Sequence, residues 1–209
     1  MIKRSVYFTQ NPKFYFTMDL NRLKNYLNTV HRIGETTWNV LAPLFVKKNL
    51  IKGEHFIKIG SYAKTIAFLD EGYLRGYYRH LDGTEYNKHF FKSPAFIGGY
   101  TSLVTGKPTQ IGQEALVDCV IYEASYSKVI KLSNSYPELV WLFKGLAEQF
   151  LVQKEYREIQ LVLLEATERY QIFRDEFPEL EQIIPQYQVA AYLGVSPTQL
   201  SRIRKKMTQ

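Results

Sequence analysis

Apolar and polar positions along the chain fall into three successive textures. From about Asp19 to Phe45, Leu20, Leu23, Tyr26, Leu27 and Val30 form one stripe, and Trp38, Leu41, Leu44 and Phe45 follow after Gly34. That period predicts amphipathic helices. From Val46 to about Tyr126 the texture changes to short runs rich in Ile, Phe, Tyr and Val: Glu54-His-Phe-Ile-Lys-Ile, Ala63-Lys-Thr-Ile-Ala-Phe-Leu, Tyr73-Leu-Arg-Gly-Tyr-Tyr and Glu85-Tyr-Asn-Lys-His-Phe-Phe. Most of the twelve glycines separate these runs. Short strands at near-regular spacing with glycine turns predict an antiparallel barrel or jelly roll. Asp82-Gly83 is its clearest hairpin signal, because both residues tolerate positive φ.

After Ser127 the helical period returns. A long helix is predicted to begin near Pro137, a residue suited to the first helical position. Leu139, Phe143, Leu146 and Phe150, then Tyr156, Ile159, Leu163, Ala166 and Tyr170, follow one another along a heptad-like seam. Such a run outreaches a small barrel and leaves apolar surface for a second copy of the chain. Glu165 to Phe177 is expected to form a separate helix, with Pro178 and Pro185 punctuating the approach to the last helices.

The C-terminal stretch from Ile184 to Met207 has the pattern of a helix-turn-helix. Val189, Ala190 and Leu193 suit one buried face, and Gly194 stands where the chain must leave the helix in a left-handed conformation. Ser196 is a good N-cap and Pro197 a good first residue for a second helix. Within it Leu200 and Ile203 can pack inward, leaving Thr198, Gln199, Ser201, Arg202, Arg204, Lys205 and Lys206 outside. No acidic residue occurs from Gln186 to Gln209. Polar residues first and cations last fit a recognition helix in the major groove of double-stranded DNA, with Arg pairing to guanine.

Composition narrows the remaining classes. The formal charge of +7 over 209 residues suits a polyanionic partner, although charge alone also suits membrane surfaces. No apolar run is long enough to span a bilayer and Met1-Ile-Lys-Arg-Ser-Val-Tyr-Phe lacks a signal-peptide core, so a cytoplasmic protein is expected. Cys119 is the sole cysteine and is expected to be a small buried hydrophobe. His31, His55, His80 and His89 lack the His-x-His spacing of cupin metal sites, and Asp70-Glu71 and Asp118 with Glu123 form no convincing acid/base pair. Neither a metal, a cofactor nor catalysis is expected. Tyr7, Phe8, Phe14, Tyr15 and Phe16 are expected to pack over the barrel or the long helix.

Helical lead-in, glycine-punctuated barrel, long helix and helix-turn-helix, in that order, resemble the Crp/Fnr superfamily of bacterial transcription regulators. The most specific parts are Leu200-Ser-Arg-Ile-Arg-Lys-Lys206, Val189-Ala-Ala-Tyr-Leu-Gly-Val-Ser196 and Ala166-Thr-Glu-Arg-Tyr170, and their wording is similar to the branch common in Bacteroidetes. The resemblance implies an α+β protein. Its parts are a cyclic-nucleotide-binding-like sensory barrel with N-terminal helices over 1–135, a dimerisation helix over 136–163 and a helix-turn-helix DNA-binding domain over 164–209. It implies a homodimer on a palindromic operator, with Ser196, Thr198, Gln199, Ser201, Arg202, Arg204, Lys205 and Lys206 at the DNA. Arg202 matches the family's guanine-reading arginine. Thr198 falls where many members carry a cytosine-reading glutamate, so the operator cannot be borrowed from them.

Cyclic-nucleotide-responsive members grip their ligand with a Gly-Glu-Leu then Arg-Ser cassette. The corresponding stretch here is Phe96 to Gln110, in which Gly99 replaces the glutamate and Thr109-Gln110 replaces Arg-Ser. Lys107, between Gly106 and Pro108, is expected in an exposed turn. A cyclic phosphate buried without that arginine lacks the charge-assisted hydrogen bonds that offset its desolvation. No response to cyclic AMP is therefore expected, and any small-molecule effector, of unidentified chemistry, would meet Phe96, Gly98, Gly99, Thr109 and Gln110. Two alternatives stay open: a small-molecule-binding or catalytic cupin-like protein whose C-terminal helices serve protein contacts, and a DNA-binding protein whose barrel is only a scaffold. A reduced or absent wing is also expected.

Overall fold

The computed structural model describes residues 20–207. The N-terminal aromatic cluster expected to pack over the barrel lies outside them. The helical lead-in forms α1 (Asn21–Val30) and α2 (Glu35–Leu41), closed by a 3-10 turn at Ala42–Leu44. Leu23, Leu27 and Leu41 are buried, as the stripe predicts. The helix breaks where His31 turns extended, and the loop is tied by Ile33 N–H donating to Asn28 Oδ1 at 3.1 Å and Gly34 N–H to Glu138 Oε2 at 2.8 Å.

The middle texture builds eight strands: β1 (Val46–Leu50), β2 (His55–Ile57), β3 (Thr65–Glu71), β4 (Tyr73–Arg79), β5 (Glu85–Lys92), β6 (Ala95–Gly98), β7 (Gly112–Ala115) and β8 (Cys119–Ser125). They pair antiparallel in two four-stranded sheets, ordered β1-β8-β3-β6 and β2-β7-β4-β5, the jelly roll rather than the closed barrel. The β4–β5 hairpin turns at Asp82-Gly83, where Gly83 has φ +88° and Thr84 N–H donates to Asp82 Oδ1 at 2.8 Å. Leu50, Ala67, Leu69, Leu74, Phe91, Ile97, Ala115 and Ile121 fill the space between the sheets, and Cys119 is buried with them. Burial raises the Cys119 thiol pKa, and its S–H donates to the Val117 carbonyl at 3.2 Å. A short helix, α3 (Tyr100–Thr105), crosses from β6 to β7.

Helix α4 (Tyr126–Ser133) leads into α5 (Pro137–Leu163), 27 residues long with Pro137 in its first turn. Leu139 and Leu142 are buried against α1 and α2, with Phe143 and Leu146 half-buried beside them. The approach to α1 is close: a Cβ on Gly145 would meet Val30 Cγ1 at 2.7 Å. Beyond Leu146 only one side of the helix meets the rest of the chain, through Arg157 at Tyr192, and Phe150, Leu151, Val152, Tyr156, Ile159, Val162 and Leu163 are exposed. The predicted seam stops at Leu163. Leu164 is extended, and a capping box between Glu165 and Glu168 starts α6 (Ala166–Glu176), so Ala166 and Tyr170 belong to the next unit instead.

Helices α6, α7 (Leu180–Ile183), α8 (Gln186–Leu193) and α9 (Pro197–Met207) complete the chain. Their core of Phe173, Leu180, Val189, Leu193 and Leu200 is continuous with Tyr73, Phe90 and Leu116 of the jelly roll. Among the described residues no strand follows β8, and no helix is long and apolar enough to cross a membrane.

Candidate nucleic-acid interface

Local chemistry sets the turn between α8 and α9. Gly194 adopts φ +71°, ψ 34°, which costs a side chain but not glycine, and Val195 N–H donates back to the Ala190 carbonyl at 3.0 Å. Ser196 Oγ accepts the Gln199 N–H at 3.1 Å, capping α9, and Pro197 occupies its first position. Val189, Ala190 and Leu193 of α8 and Leu200 and Ile203 of α9 are buried, all five as predicted.

Outside this core, Ser196, Thr198, Gln199, Ser201, Arg202, Lys205 and Lys206 are exposed together on one face. Arg204 differs. It is half-buried, and its Nε lies 3.3 Å from Glu181 Oε1, so it holds α9 to α7 rather than facing solvent freely. Glu181 also accepts the Tyr170 hydroxyl, and Arg174 Nε lies 3.9 Å from it. Burial first, and then Glu181, push Tyr170 up to about 12, so the phenol stays a donor.

Four positioning residues have partners that sequence patterning does not reveal. Arg169 Nε donates to the Leu193 carbonyl at 3.1 Å, and Arg157 Nη2 donates to the Tyr192 carbonyl. These are terminal carbonyls of α8 that lack partners within the helix. On the other side, Asn87 of β5, fully buried, donates through Nδ2 to the Gln188 carbonyl at 2.9 Å and accepts from Arg75 Nη1 at 3.2 Å. Arg75, buried in turn, pairs with Glu85 at 2.7 Å and Glu114 at 2.6 Å. The Phe90 ring packs against Tyr192 at 4.9 Å, Phe177 at 5.8 Å and Phe173 at 5.9 Å. The Glu-Arg segment at Glu168-Arg169 was the one sequence signal; its physical task is capping α6 and holding α8.

Of the five candidate effector residues, Gly98, Gly99 and Thr109 lie together, with Thr109 Oγ1 3.8 Å from where a Cβ on Gly99 would stand, whereas Phe96 and Gln110 face elsewhere. Phe96 packs outward against Phe68 at 5.7 Å and Tyr26 at 5.9 Å, and Gly98 pairs with Ile66 in the sheet. A Cβ on Gly99 would meet Ala63 Cβ at 3.0 Å and Ile57 Cδ1 at 3.2 Å. Thr109 Oγ1 is occupied by the backbone of Ile111, and Gln110 is exposed. Lys107 sits in the expected exposed turn, beside Gly106 at φ +67°. Among the described residues no group of three or more His, Cys, Asp or Glu side chains is placed to hold a metal ion. Asp118 and Glu123 are engaged by the Lys52 N–H and the Thr65 hydroxyl.

No family model matches the chain, and no curated relative matches it. Solved structures do. The c-di-GMP responsive global regulator CLP of Xanthomonas campestris is 15% identical with a TM-score of 0.67, over 84% of this chain and 92% of that one. FixK2 of Bradyrhizobium japonicum is 18% identical at TM-score 0.67, over 78% and 84%. A putative transcriptional regulator of the Crp/Fnr family from Eubacterium rectale is 12% identical at TM-score 0.69, over 84% of each. The jelly roll, the long helix and the helix-turn-helix, in that arrangement, are the fold of the Crp/Fnr regulators.

Proposed function

We propose that this protein is a non-enzymatic, DNA-binding transcription regulator that acts as a homodimer on a palindromic operator. The observation that carries the proposal is the capped, cationic outer face of α9. Arg202 is exposed there and takes part in none of the ion pairs among the described residues. Thr198, Gln199, Ser201 and Arg202 meet base edges, and Lys205 and Lys206 meet phosphates. The exposed apolar side chains of α5 supply the two-fold contact that presents two such helices. Ligand control does not run through cyclic AMP or cyclic GMP: Gly99 and Thr109 carry no charge, and the space at Gly99 is closed by Ala63 and Ile57.

Selection of bound sequences from a random DNA pool, followed by Arg202→Ala, tests the proposal. The variant is expected to lose discrimination between the selected operator and scrambled DNA. Unchanged discrimination refutes the assignment, and salt-insensitive or absent DNA binding by the parent protein refutes the function itself.

A further inference from the structure

Between the jelly roll and the C-terminal unit lies a cavity of about 520 Å³, partly open to solvent. Its walls come from three parts of the chain: Phe90 and Phe96 of β5 and β6, Gln153 and Arg157 of α5, and Phe177 and Tyr192 at the helix-turn-helix unit. Sites for small organic ligands span roughly 300–1,000 Å³, and the walls here combine aromatic rings with polar groups that include Lys92, Gln149, Gln160 and Glu176. This one lies outside the sheets, away from the space filled by Leu74, Ile97 and Ile121.

Arg157 is its charged centre. The guanidinium lies 3.8 Å from the Tyr192 ring centroid and donates to Gln160 Oε1 at 3.0 Å, while Nε is buried with no acceptor. None of the ion pairs among the described residues includes Arg157. Glu176 also lines the cavity and interacts with Arg157 electrostatically, while burial holds its carboxyl above the ordinary range. A half-buried guanidinium with an orphaned, buried Nε donor favours an anion that brings its own acceptors. Arg157 and the exposed Lys92 line the cavity against the one carboxyl of Glu176, an excess of one positive charge that matches a monoanion; a phosphate dianion needs more donors to offset its desolvation. Aromatic walls favour a planar ring in offset or edge contact.

We propose that this cavity binds a small planar aromatic carboxylate, with its ring among Phe90, Phe96 and Phe177 and its carboxylate on Arg157. Through Tyr192, occupancy acts on the placement of α8. The proposal deepens the regulator reading by naming the class of effector and where it enters.

Calorimetry on the full chain with 1-naphthoate and its neutral analogue 1-naphthamide tests it. One naphthoate is expected per chain, bound about tenfold or more tighter than the amide, the gain of one charge-assisted contact. Arg157→Gln should bring the acid level with the amide. Gln153→Trp, at an exposed position on the cavity wall, should abolish binding of both by filling the space. Absence of saturable naphthoate binding, equal affinity for acid and amide, or binding undiminished in Gln153→Trp overturns the proposal. The titration contains no DNA, so a failure of operator binding leaves its result standing, and a protein that binds its operator but not naphthoate sinks only the cavity assignment.

Discussion

Phe90→Ala isolates the seam that docks the helix-turn-helix onto the jelly roll. The Phe90 ring is 1% exposed and touches three aromatic rings of the C-terminal unit. Removing it forfeits roughly 150 Å² of buried apolar surface at about 25 cal/mol/Å², or about 4 kcal/mol, within the range of about 3–5 kcal/mol for such truncations. With a urea slope of about 2.5 kcal/mol/M for a chain of this size, the midpoint falls by about 1.5 M. The loss should be local. Trp38 in α2 and Trp141 in α5 report on the N-terminal side of the molecule, whereas far-UV circular dichroism also reports on α6 to α9. In the parent protein the fluorescence and dichroism curves are expected to coincide; in Phe90→Ala the dichroism should fall first. Superimposable curves with a midpoint shift below about 0.4 M, equivalent to about 1 kcal/mol, would refute a seam of this strength.

Arg204 and Lys206 separate a positioning cation from a phosphate contact. Lys206→Ala should lower the slope of log affinity against log salt by about 1, whereas Arg204→Ala should change that slope less and lower the melting temperature of α9's unit by loosening its hold on Glu181. Equal slopes for the two variants would count against the distinction. His89 gives the molecule an acid limb. Burial, then Lys88 and Arg157, depress its imidazole from 6.5 to about 4, so between those values the unfolded chain carries a proton that the folded chain refuses. Stability is complete above 6.5 and declines as pH falls through that interval, by at most about 3 kcal/mol. His89→Phe should flatten urea midpoints measured across it, and a slope identical to the parent's would contradict the assignment.

What the sequence could show was set by how local the chemistry is. Gly194, Ser196 and Pro197 act on backbone within a few residues of themselves, so the turn and the start of α9 were visible from residue types alone. The jelly roll was visible as texture, but β2 shrank to His55–Ile57 and β3 moved to Thr65–Glu71, because strand ends are decided by partners across the sheet. Arg204 was assigned to solvent because its partner, Glu181, lies on another helix. The contact of Asn87 was invisible for the same reason, and that of Arg169 too, although its segment carried a sequence signal: each bonds a carbonyl of α8 that is remote in sequence. One signal was present and unused. Phe90 and Phe91 are adjacent in β5, so they point to opposite faces, and two large apolar neighbours in one strand mean that both faces of that sheet are covered.

Helix α8 is gripped from three directions: Asn87 and Phe90 from β5, Arg157 from α5, and Arg169 from α6. The turn at Gly194 carries that position directly into α9. In a dimer formed along α5, the distance between two α9 helices is then set by how each α8 sits on its own β5 and α5. That distance must match one turn of DNA, about 34–36 Å, for both half-sites to be read together. Of these grips, the Arg157–Tyr192 contact lies in the cavity wall, whereas the exposed face of α9 does not. On the proposed reading, a ligand there would change the spacing of the two α9 helices and leave each helix's own contacts intact. Naphthoate should accordingly shift affinity for the full palindrome while affinity for an isolated half-site stays constant, and equal shifts on both would place its action on α9 itself.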